Sequence, residues 1–181
     1  HPAYRGKGYA SEAARALTYE TARVCDLENN NLRVLEFSPP SDPAEAKKRK
    51  ADARVYKRLN GMLTPMSKYY SSEMCNRVAN DAIQVLGGSG YMKDYPSERF
   101  LRDARITTIY EGTSQLQIVA AVRGVCSGAF QTRVEDMEQA QYSDELLSSL
   151  KAKLAEAKEL VLKGVAFVKE KGNTYMDLHG R

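Results

Sequence analysis

The segment TPMSKYYSSEMCNRVANDAIQVLGGSGY, residues 64–91, carries the clearest structural pattern in the sequence. Its apolar residues recur every four positions, and this spacing places them on one face of a helix. Four of them mark that face: Met74, Val78, Ala82 and Leu86. The pattern stops at two adjacent glycines, which commonly follow the end of a helix. The segment therefore predicts a long helix with one apolar face.

Similar three- and four-residue spacings before and after this segment predict further helices. Prolines, serines and an asparagine run separate the first two. The predicted helices cover residues 9–28, 43–63, 64–86, 97–103, 114–129 and 143–171. Asp42 is expected to cap the second helix and Ser143 the last, which Gly172 should end. Helices of this length with short connections predict an all-α, antiparallel helical bundle with a C-terminal extension helix.

The stretch RITTIYEGTSQLQ, residues 105–117, places a carboxylate before a predicted helix. The stretch up to Tyr110 is expected to be buried and extended, since Ile106, Ile109 and Tyr110 suit a packed strand or loop. Gly112 lets the chain turn, and Thr113 can cap the following helix. Glu111 then has two interpretations. It is either a charge favoured by the helix dipole or a catalytic base directed into a cleft.

Composition and charge exclude several classes of protein. The 181 residues include 27 basic and 23 acidic side chains, a balance too even to indicate a nucleic-acid-binding protein. The basic run at residues 47–50 has no interleaved aromatic residues for base stacking, so we interpret it as a solvated helix face. No apolar run approaches the roughly 20 residues of a membrane-spanning helix, and no signal peptide is evident.

The cysteines and histidines narrow the chemistry further. Three widely separated cysteines predict neither a disulfide framework nor a zinc site, and they suit a reducing compartment such as the bacterial cytoplasm or the mitochondrial matrix. Only two histidines are present, both near the chain ends, which disfavours metal sites and Ser-His catalysis. Because the chain begins at His1 and not at a methionine, we expect it to be a segment of a longer protein.

Four motifs follow one another in residues 82–117: QVLGGSGY, YPSER, RDAR and IYEGT. In this order and spacing they resemble the C-terminal domain of flavin-dependent acyl-CoA dehydrogenases. The resemblance extends more weakly over residues 1–134 and implies a helical bundle there. It implies that residues 135–181 are a helical extension, of the kind found in longer family members, packing on the bundle or on a partner chain.

The resemblance also implies roles for individual residues. Glu111 matches the base that removes the α-proton of an acyl-CoA thioester while hydride leaves the β-carbon for FAD. Gly112 would lie beside the substrate, where a side chain would collide with it. Contacts to FAD are implied for Gln84, Val85, Leu86, Gly87, Gly88, Thr113, Ser114 and Gln115. The first five of these match a loop that contacts the FAD of a neighbouring subunit.

The family further implies an electron-transfer flavoprotein or similar acceptor as partner, and a homo-oligomer. The domain that holds most of the flavin in this family is not represented in the sequence. We therefore expect the isolated chain to bind FAD weakly and to be inactive. Two alternatives remain: an acyl-CoA oxidase, and a non-catalytic helical module for oligomerisation or interaction. The sequence does not indicate acyl-chain length or branching.

Overall fold

The computed structural model describes residues 9–139, 141 and 143–172, and the regular structure in these residues is entirely helical. The predicted all-α class is confirmed. Seven helices follow one another in the described residues: α1 (Tyr9–Phe37), α2 (Pro43–Leu86), α3 (Gly88–Tyr91), α4 (Ser97–Ile106), α5 (Ser114–Cys126), α6 (Ala129–Gln139) and α7 (Glu145–Lys171). The predicted boundary between residues 134 and 135 remains a prediction, and residues 1–8 and 173–181 lie outside the described residues.

The chain forms two compact units, each built from segments that are distant in sequence. The first contains the described residues up to Ala22 together with residues 63–118, and the second contains residues 23–62 and the described residues from Val119. Buried apolar side chains of the first unit are Leu63, Ala79 and Ala104. Those of the second unit are Val24, Ala53, Leu59, Met62, Ala129 and Val134.

Helix α1 is longer than the sequence predicted, because it passes through the asparagine run and ends at Phe37. Asn31 is only 8% exposed, and its side-chain amide donates to the carbonyl oxygen of Leu27 at 2.9 Å. The asparagine is thus satisfied inside the helix and does not end it. Pro39 and Pro40, which lack a backbone N–H, follow the true end. The predicted end at residue 28 is wrong.

Helix α2 is one continuous helix where the sequence predicted two, and it passes through both Gly61 and Pro65. A glycine inside a helix costs only about 1 kcal/mol, whereas burying one large apolar side chain stabilises by about 1.5–3 kcal/mol. Three such side chains near Gly61 are no more than 7% exposed: Leu59, Met62 and Leu63. Burial therefore outweighs the local break signal.

The predicted helix ends are confirmed in two cases and shifted in a third. The side chain of Asp42 accepts a backbone N–H two residues further on at 2.9 Å, as expected of a cap. Gly172, with a φ of 80°, follows the last residue of α7. Helix α7 is capped by Asp144 and not by Ser143, because the Asp144 carboxylate accepts the N–H of Leu147 at 2.9 Å.

The helix predicted over residues 114–129 is two helices, α5 and α6. Gly128, with a φ of 92°, turns the chain between them. The hydroxyl of Ser127 donates to the carbonyl oxygen of Gly124 at 2.6 Å and satisfies part of the end of α5. The left-handed glycine ended the helix earlier than its apolar pattern suggested.

The stretch predicted as buried and extended before Glu111 is instead the end of α4 and a tight turn. The hydroxyl of Thr107 donates to the carbonyl oxygen of Ala104 at 2.6 Å, and that of Thr108 donates to Arg105 at 3.0 Å. These bonds favour helical winding over extension. The apolar side chains of this stretch are about half exposed: Ile106 52%, Ile109 47% and Tyr110 48%. The prediction of a buried, extended stretch is wrong, whereas the loop alternative to a strand agrees with the turn at residues 107–113.

Candidate functional site

The turn between α4 and α5, residues 107–113 and called the α4–α5 turn below, contains an unusual backbone conformation. Glu111 has a φ of 53° and is the one non-glycine residue with a positive φ among the described residues. Gly112 follows with a φ of 92°. A left-handed conformation costs a residue with a Cβ about 1–2 kcal/mol, so surrounding contacts must hold Glu111 in place.

Lys68 of α2 makes the largest set of contacts to this turn. Its ammonium donates to the carbonyl oxygens of Thr107 at 2.7 Å, Tyr110 at 3.0 Å and Gly112 at 2.8 Å. It also lies 5.6 Å from the centre of the Tyr110 ring, a cation–π distance. An ammonium has three donors, and here all three find backbone acceptors. Lys68 therefore joins the middle of α2 to the residues on both sides of Glu111.

Residues of helix α5, which follows the turn, also form hydrogen bonds to it. The side-chain amide of Gln117 donates to the carbonyl oxygen of Glu111 at 3.0 Å. The backbone N–H of Ser114 donates to the carbonyl oxygen of Thr108 at 3.1 Å and closes the turn. The carbonyl groups on both sides of the Glu111 α-carbon are thus hydrogen-bonded.

Two further polar side chains of α2 fix the helices that flank the turn. Asn76 donates to the carbonyl oxygen of Ala104, near the end of α4, at 2.8 Å. Glu73 accepts the hydroxyl of Ser114, the first residue of α5, at 2.5 Å. Since Lys68 lies on the same helix, α2 holds the turn, the helix before it and the helix after it.

Glu111 lies at the edge of a small cavity of about 240 Å³. Glu111 is an exposed residue, so it can meet a ligand from outside the chain. The cavity is lined by Lys68, Ser71, Ser72, Cys75, Thr107, Tyr110 and Glu111. Hydroxyl, thiol, aromatic and carboxylate groups therefore surround one opening in the first unit.

The glycine-rich segment predicted to contact FAD lies at the far end of α2. Val85 is 86% exposed and Leu86 is 47% exposed, and Gln84 beside them is also exposed. Gly87 has a φ of 59° and ends the helix as predicted. An added Cβ at Gly87 or Gly88 would meet no atom within 4 Å, so the backbone is open to a ligand there.

The two predicted groups of cofactor residues do not lie together within this chain. Glu73 of α2 contacts Ser114, and Leu86 is the last residue of the same helix. The thirteen residue-to-residue steps from Glu73 to Leu86 correspond to about 20 Å along a helix axis. The residues that start α5 therefore contact α2 about 20 Å along its axis from its last residue, Leu86.

The apolar face predicted for residues 64–86 is present, but much of it is open. Val78 is 63% exposed, and Phe100 of α4 is 60% exposed. Both line a cavity of about 750 Å³ that also contacts Met74 and Ala82. Val78 and Phe100 thus belong to one apolar surface of the first unit and are not isolated exposed side chains.

Sequence reasoning identified Glu111 but missed the residues that hold it: Lys68, Glu73, Asn76 and Gln117. Lys68 occupies a position in a helix where a lysine usually extends into solvent, and its three acceptors lie about forty residues further along the chain. Local spacing carries no information about contacts at that separation. Only Gln117, within the quoted RITTIYEGTSQLQ stretch, stood close enough in sequence to be considered.

No helix in the described ranges combines the length and apolar character needed to cross a membrane. Within the same part of the chain, no group of three or more histidine, cysteine or acidic side chains could hold a metal ion.

Residues 43–126 match the family model described as "Acyl-CoA dehydrogenase, C-terminal domain". Over these residues, slightly less than half of the chain, the sequence is similar to that C-terminal domain. The matched acyl-CoA dehydrogenase domain begins at the first residue of α2 and ends at the last residue of α5, so it includes the whole α4–α5 turn.

Named relatives support the same assignment over part of the chain. An acyl-CoA dehydrogenase of Bacillus subtilis is 53% identical over 107 residues, which are 59% of this chain and 21% of that protein. The mitochondrial short/branched chain specific acyl-CoA dehydrogenase of Rattus norvegicus is 55% identical over 107 residues, again 59% of this chain but 18% of that protein. The caffeyl-CoA reductase–Etf complex subunit CarC of Acetobacterium woodii is 56% identical over 52 residues, 29% of this chain and 14% of that protein.

The matched part thus spans about a fifth of the length of these acyl-CoA dehydrogenases. No solved structure shows a significant match to the chain.

Proposed function

We propose that the chain is part of a longer FAD-dependent acyl-CoA dehydrogenase, called the complete enzyme below, and that Glu111 is its catalytic base. The observation that supports this most strongly is the conformation of Glu111. Its backbone is held in an unfavourable region by hydrogen bonds to carbonyl groups on both sides, and strain of this kind clusters at functional sites. This exposed residue lies at the edge of a cavity within the family-matched residues.

The chemistry of the proposed reaction suits a carboxylate in this position. The α-hydrogen of an acyl-CoA thioester is a weak carbon acid, and a base held close to it can remove the proton. Glu111 would take that proton on a carboxylate oxygen. Its backbone N–H would donate to the thioester oxygen, where negative charge develops. Gly112 would leave room for the thioester.

The described residues fit the cofactor that this family generally uses. When bound, FAD supplies the acceptor for the hydride that leaves the β-carbon. The open backbone at Gly87 and Gly88 and the start of α5 are both suited to phosphate or nucleotide contacts. We propose these contacts for Gln84, Val85, Leu86, Gly87, Gly88, Thr113, Ser114 and Gln115. The separation of about 20 Å along α2 supports the idea that residues 84–88 serve the cofactor of a neighbouring subunit.

The proposed partners follow from the same site. Acyl-CoA is the substrate, and an electron-transfer flavoprotein or similar carrier accepts the electrons. The name of the relative CarC places it in an Etf complex, which supports a carrier of this kind. The open apolar surface around Val78 and Phe100 supports a homo-oligomer. Free cysteines in the described residues suit a reducing compartment, such as the bacterial cytoplasm or the mitochondrial matrix.

A helical oligomerisation module without catalysis is the second candidate, and the same open apolar surface favours it. An acyl-CoA oxidase would use the same base and differ only in the electron acceptor. Whether the complete enzyme is a dehydrogenase or an oxidase, the 181-residue chain alone is predicted to bind FAD weakly and to show no turnover. The reason is that this family holds most of the flavin in another domain.

The variant Glu111→Gln in the complete enzyme tests the proposal. It keeps the size of the side chain but removes the basic oxygen, so acyl-CoA oxidation should fall by about 10²–10⁴-fold. Glu36→Gln, an exposed carboxylate on α1, is the matched control and should leave activity unchanged. Full activity of Glu111→Gln would contradict the assignment. A colourless but folded complete protein would favour the oligomerisation module.

A further inference from the structure

We infer that Lys68 is a positioning residue that sets the direction of the Glu111 backbone N–H and of the Cα–Cβ bond from which the Glu111 carboxylate extends. This inference rests on the proposed role of Glu111 as base. It starts from the convergence of three carbonyl oxygens on the Lys68 ammonium, at 2.7, 3.0 and 2.8 Å. Those carbonyls belong to three residues within a span of six in the chain, so the ammonium gathers the turn around one point.

One of these bonds, to the Tyr110 oxygen, fixes the peptide plane that precedes Glu111. The carbonyl of Tyr110 and the N–H of Glu111 belong to one peptide unit, and in a trans peptide they point in opposite directions. Because Lys68 holds the Tyr110 oxygen, the Glu111 N–H must point away from Lys68. The described residues contain no cis peptide bond, so this relationship applies here. Lys68 thus sets the direction of the N–H that would donate to a thioester oxygen, by holding the opposite side of the same peptide unit.

The third carbonyl fixes the chain after the base. Lys68 holds the oxygen of Gly112, and Gln117 holds the oxygen of Glu111. With the planes before and after it held, Glu111 keeps its left-handed φ of 53°. The Cα–Cβ direction of a residue follows from its backbone angles, so the direction in which the Glu111 side chain leaves the backbone is also set.

The placement of Lys68 suits this role better than a general role in stability. Lys68 is half-buried, and its ammonium exchanges water for three backbone acceptors. It lies on the same helix as Glu73, which holds the first residue of α5. The position of the proposed base is therefore fixed relative to one long helix, α2. This matters because a displacement of about 1 Å from the reacting geometry can reduce a rate by about a hundredfold.

The first test uses the 181-residue chain and no cofactor. Lys68→Met keeps the length of the side chain and removes its donors, while Lys48→Met, an exposed lysine of the same helix, is the control. Amide hydrogen exchange in peptides from the α4–α5 turn should accelerate about tenfold in Lys68→Met, with unchanged circular dichroism. Peptides from residues 45–60 should exchange as in the wild type. Unchanged exchange in the turn would overturn the inference.

The second test uses the complete enzyme and separates this inference from the proposed function. In Lys68→Met, kcat should fall about ten- to a hundredfold while KM changes by less than about threefold. Lys68→Arg, which keeps a charged donor, should recover part of the loss. In a Glu111→Gln background, Lys68→Met should have a clearly smaller further effect, since the base is gone and only the backbone N–H remains to be positioned.

The outcomes are distinguishable. If Glu111→Gln is inactive but Lys68→Met has wild-type kcat, only the positioning inference fails. If Glu111→Gln is fully active, the proposed function fails whatever Lys68→Met does. A loss in Lys68→Met that is just as large in the Glu111→Gln background would also overturn the positioning role.

Discussion

The side-chain amide of Gln117 lies 3.0 Å from the carbonyl oxygen of Glu111 and donates a hydrogen bond to it. The same amide occupies the space beside the α-carbon of Gly112, where an added Cβ would lie 2.7 Å from its nitrogen. Gly112 therefore serves two needs at once. It accepts a φ of 92°, and it leaves room for the amide that holds Glu111.

Replacing Gly112 by alanine is expected to strain the turn in both ways. The positive φ should cost about 1–2 kcal/mol, and displacement of the Gln117 amide should add about 1 kcal/mol. Gly128→Ala is the matched control, because Gly128 has the same φ of 92° but open space around it. Thermal unfolding followed by circular dichroism should show the larger loss in Gly112→Ala. Equal losses in the two variants would mean that the Gln117 contact contributes nothing.

A second pair of glycines lies in the second unit, and alanine should have opposite effects at its two members. An added Cβ at Gly124 would lie 2.7 Å from the α-carbon of Met62, which is backbone and cannot move aside cheaply. Gly124→Ala should therefore destabilise the chain by about 1–3 kcal/mol. Gly61→Ala meets no atom within 4 Å and should stabilise it by about 1 kcal/mol.

Chemical denaturation of the two variants measures these changes directly. The close approach of α5 to α2 predicts opposite signs for the change in the free energy of unfolding. A neutral or stabilising Gly124→Ala would show that the two helices are further apart in solution.

Local sequence signals predicted most of the helices, and they failed where burial opposed them. The spacing of Met74, Val78 and Ala82 correctly predicted a helix, since this pattern depends only on near neighbours. The breaks expected after residue 28 and at Gly61 did not occur. Asn31 found an acceptor inside its own helix, and the residues around Gly61 are buried, and neither fact can be read from local sequence.

The candidate site was predictable in part for a similar reason. Glu111 stood out because a four-motif resemblance pointed to it, and its position before a turn and a helix was correct. Its left-handed backbone and its support from Lys68 could not be predicted. The acceptors of Lys68 are distant in sequence and belong to the backbone, whose direction no residue type reveals.

The ion pair between Lys158 of α7 and Glu138 of α6 should make the packing of these two helices depend on pH. The two charges are 2.8 Å apart, and their side chains are 16% and 24% exposed. The hydrogen bond with Glu138 raises the pKa of Lys158, and partial burial opposes it to a smaller degree. Because the folded form holds this proton more tightly, the contribution is complete below the ordinary pKa of 10.5 and disappears as the pH rises through the raised value.

Thermal unfolding of the wild type and of Lys158→Met between pH 8 and 12 tests this expectation. The wild type should have the higher Tm at pH 8, and the difference should narrow above about pH 10.5. Effects of other titrating groups cancel in the comparison of the two proteins. A difference that stayed constant over this range would contradict the role of the charge.

The central claim is that Glu111 removes a proton from carbon, and exchange of the substrate α-hydrogen with solvent measures that step most directly. The complete enzyme is incubated with a saturated acyl-CoA in D₂O without an electron acceptor, and loss of the α-proton signal is followed by NMR. We predict that the wild type and Glu36→Gln catalyse exchange and that Glu111→Gln does so about 10²–10⁴-fold more slowly. Exchange by Glu111→Gln at the wild-type rate would contradict the account.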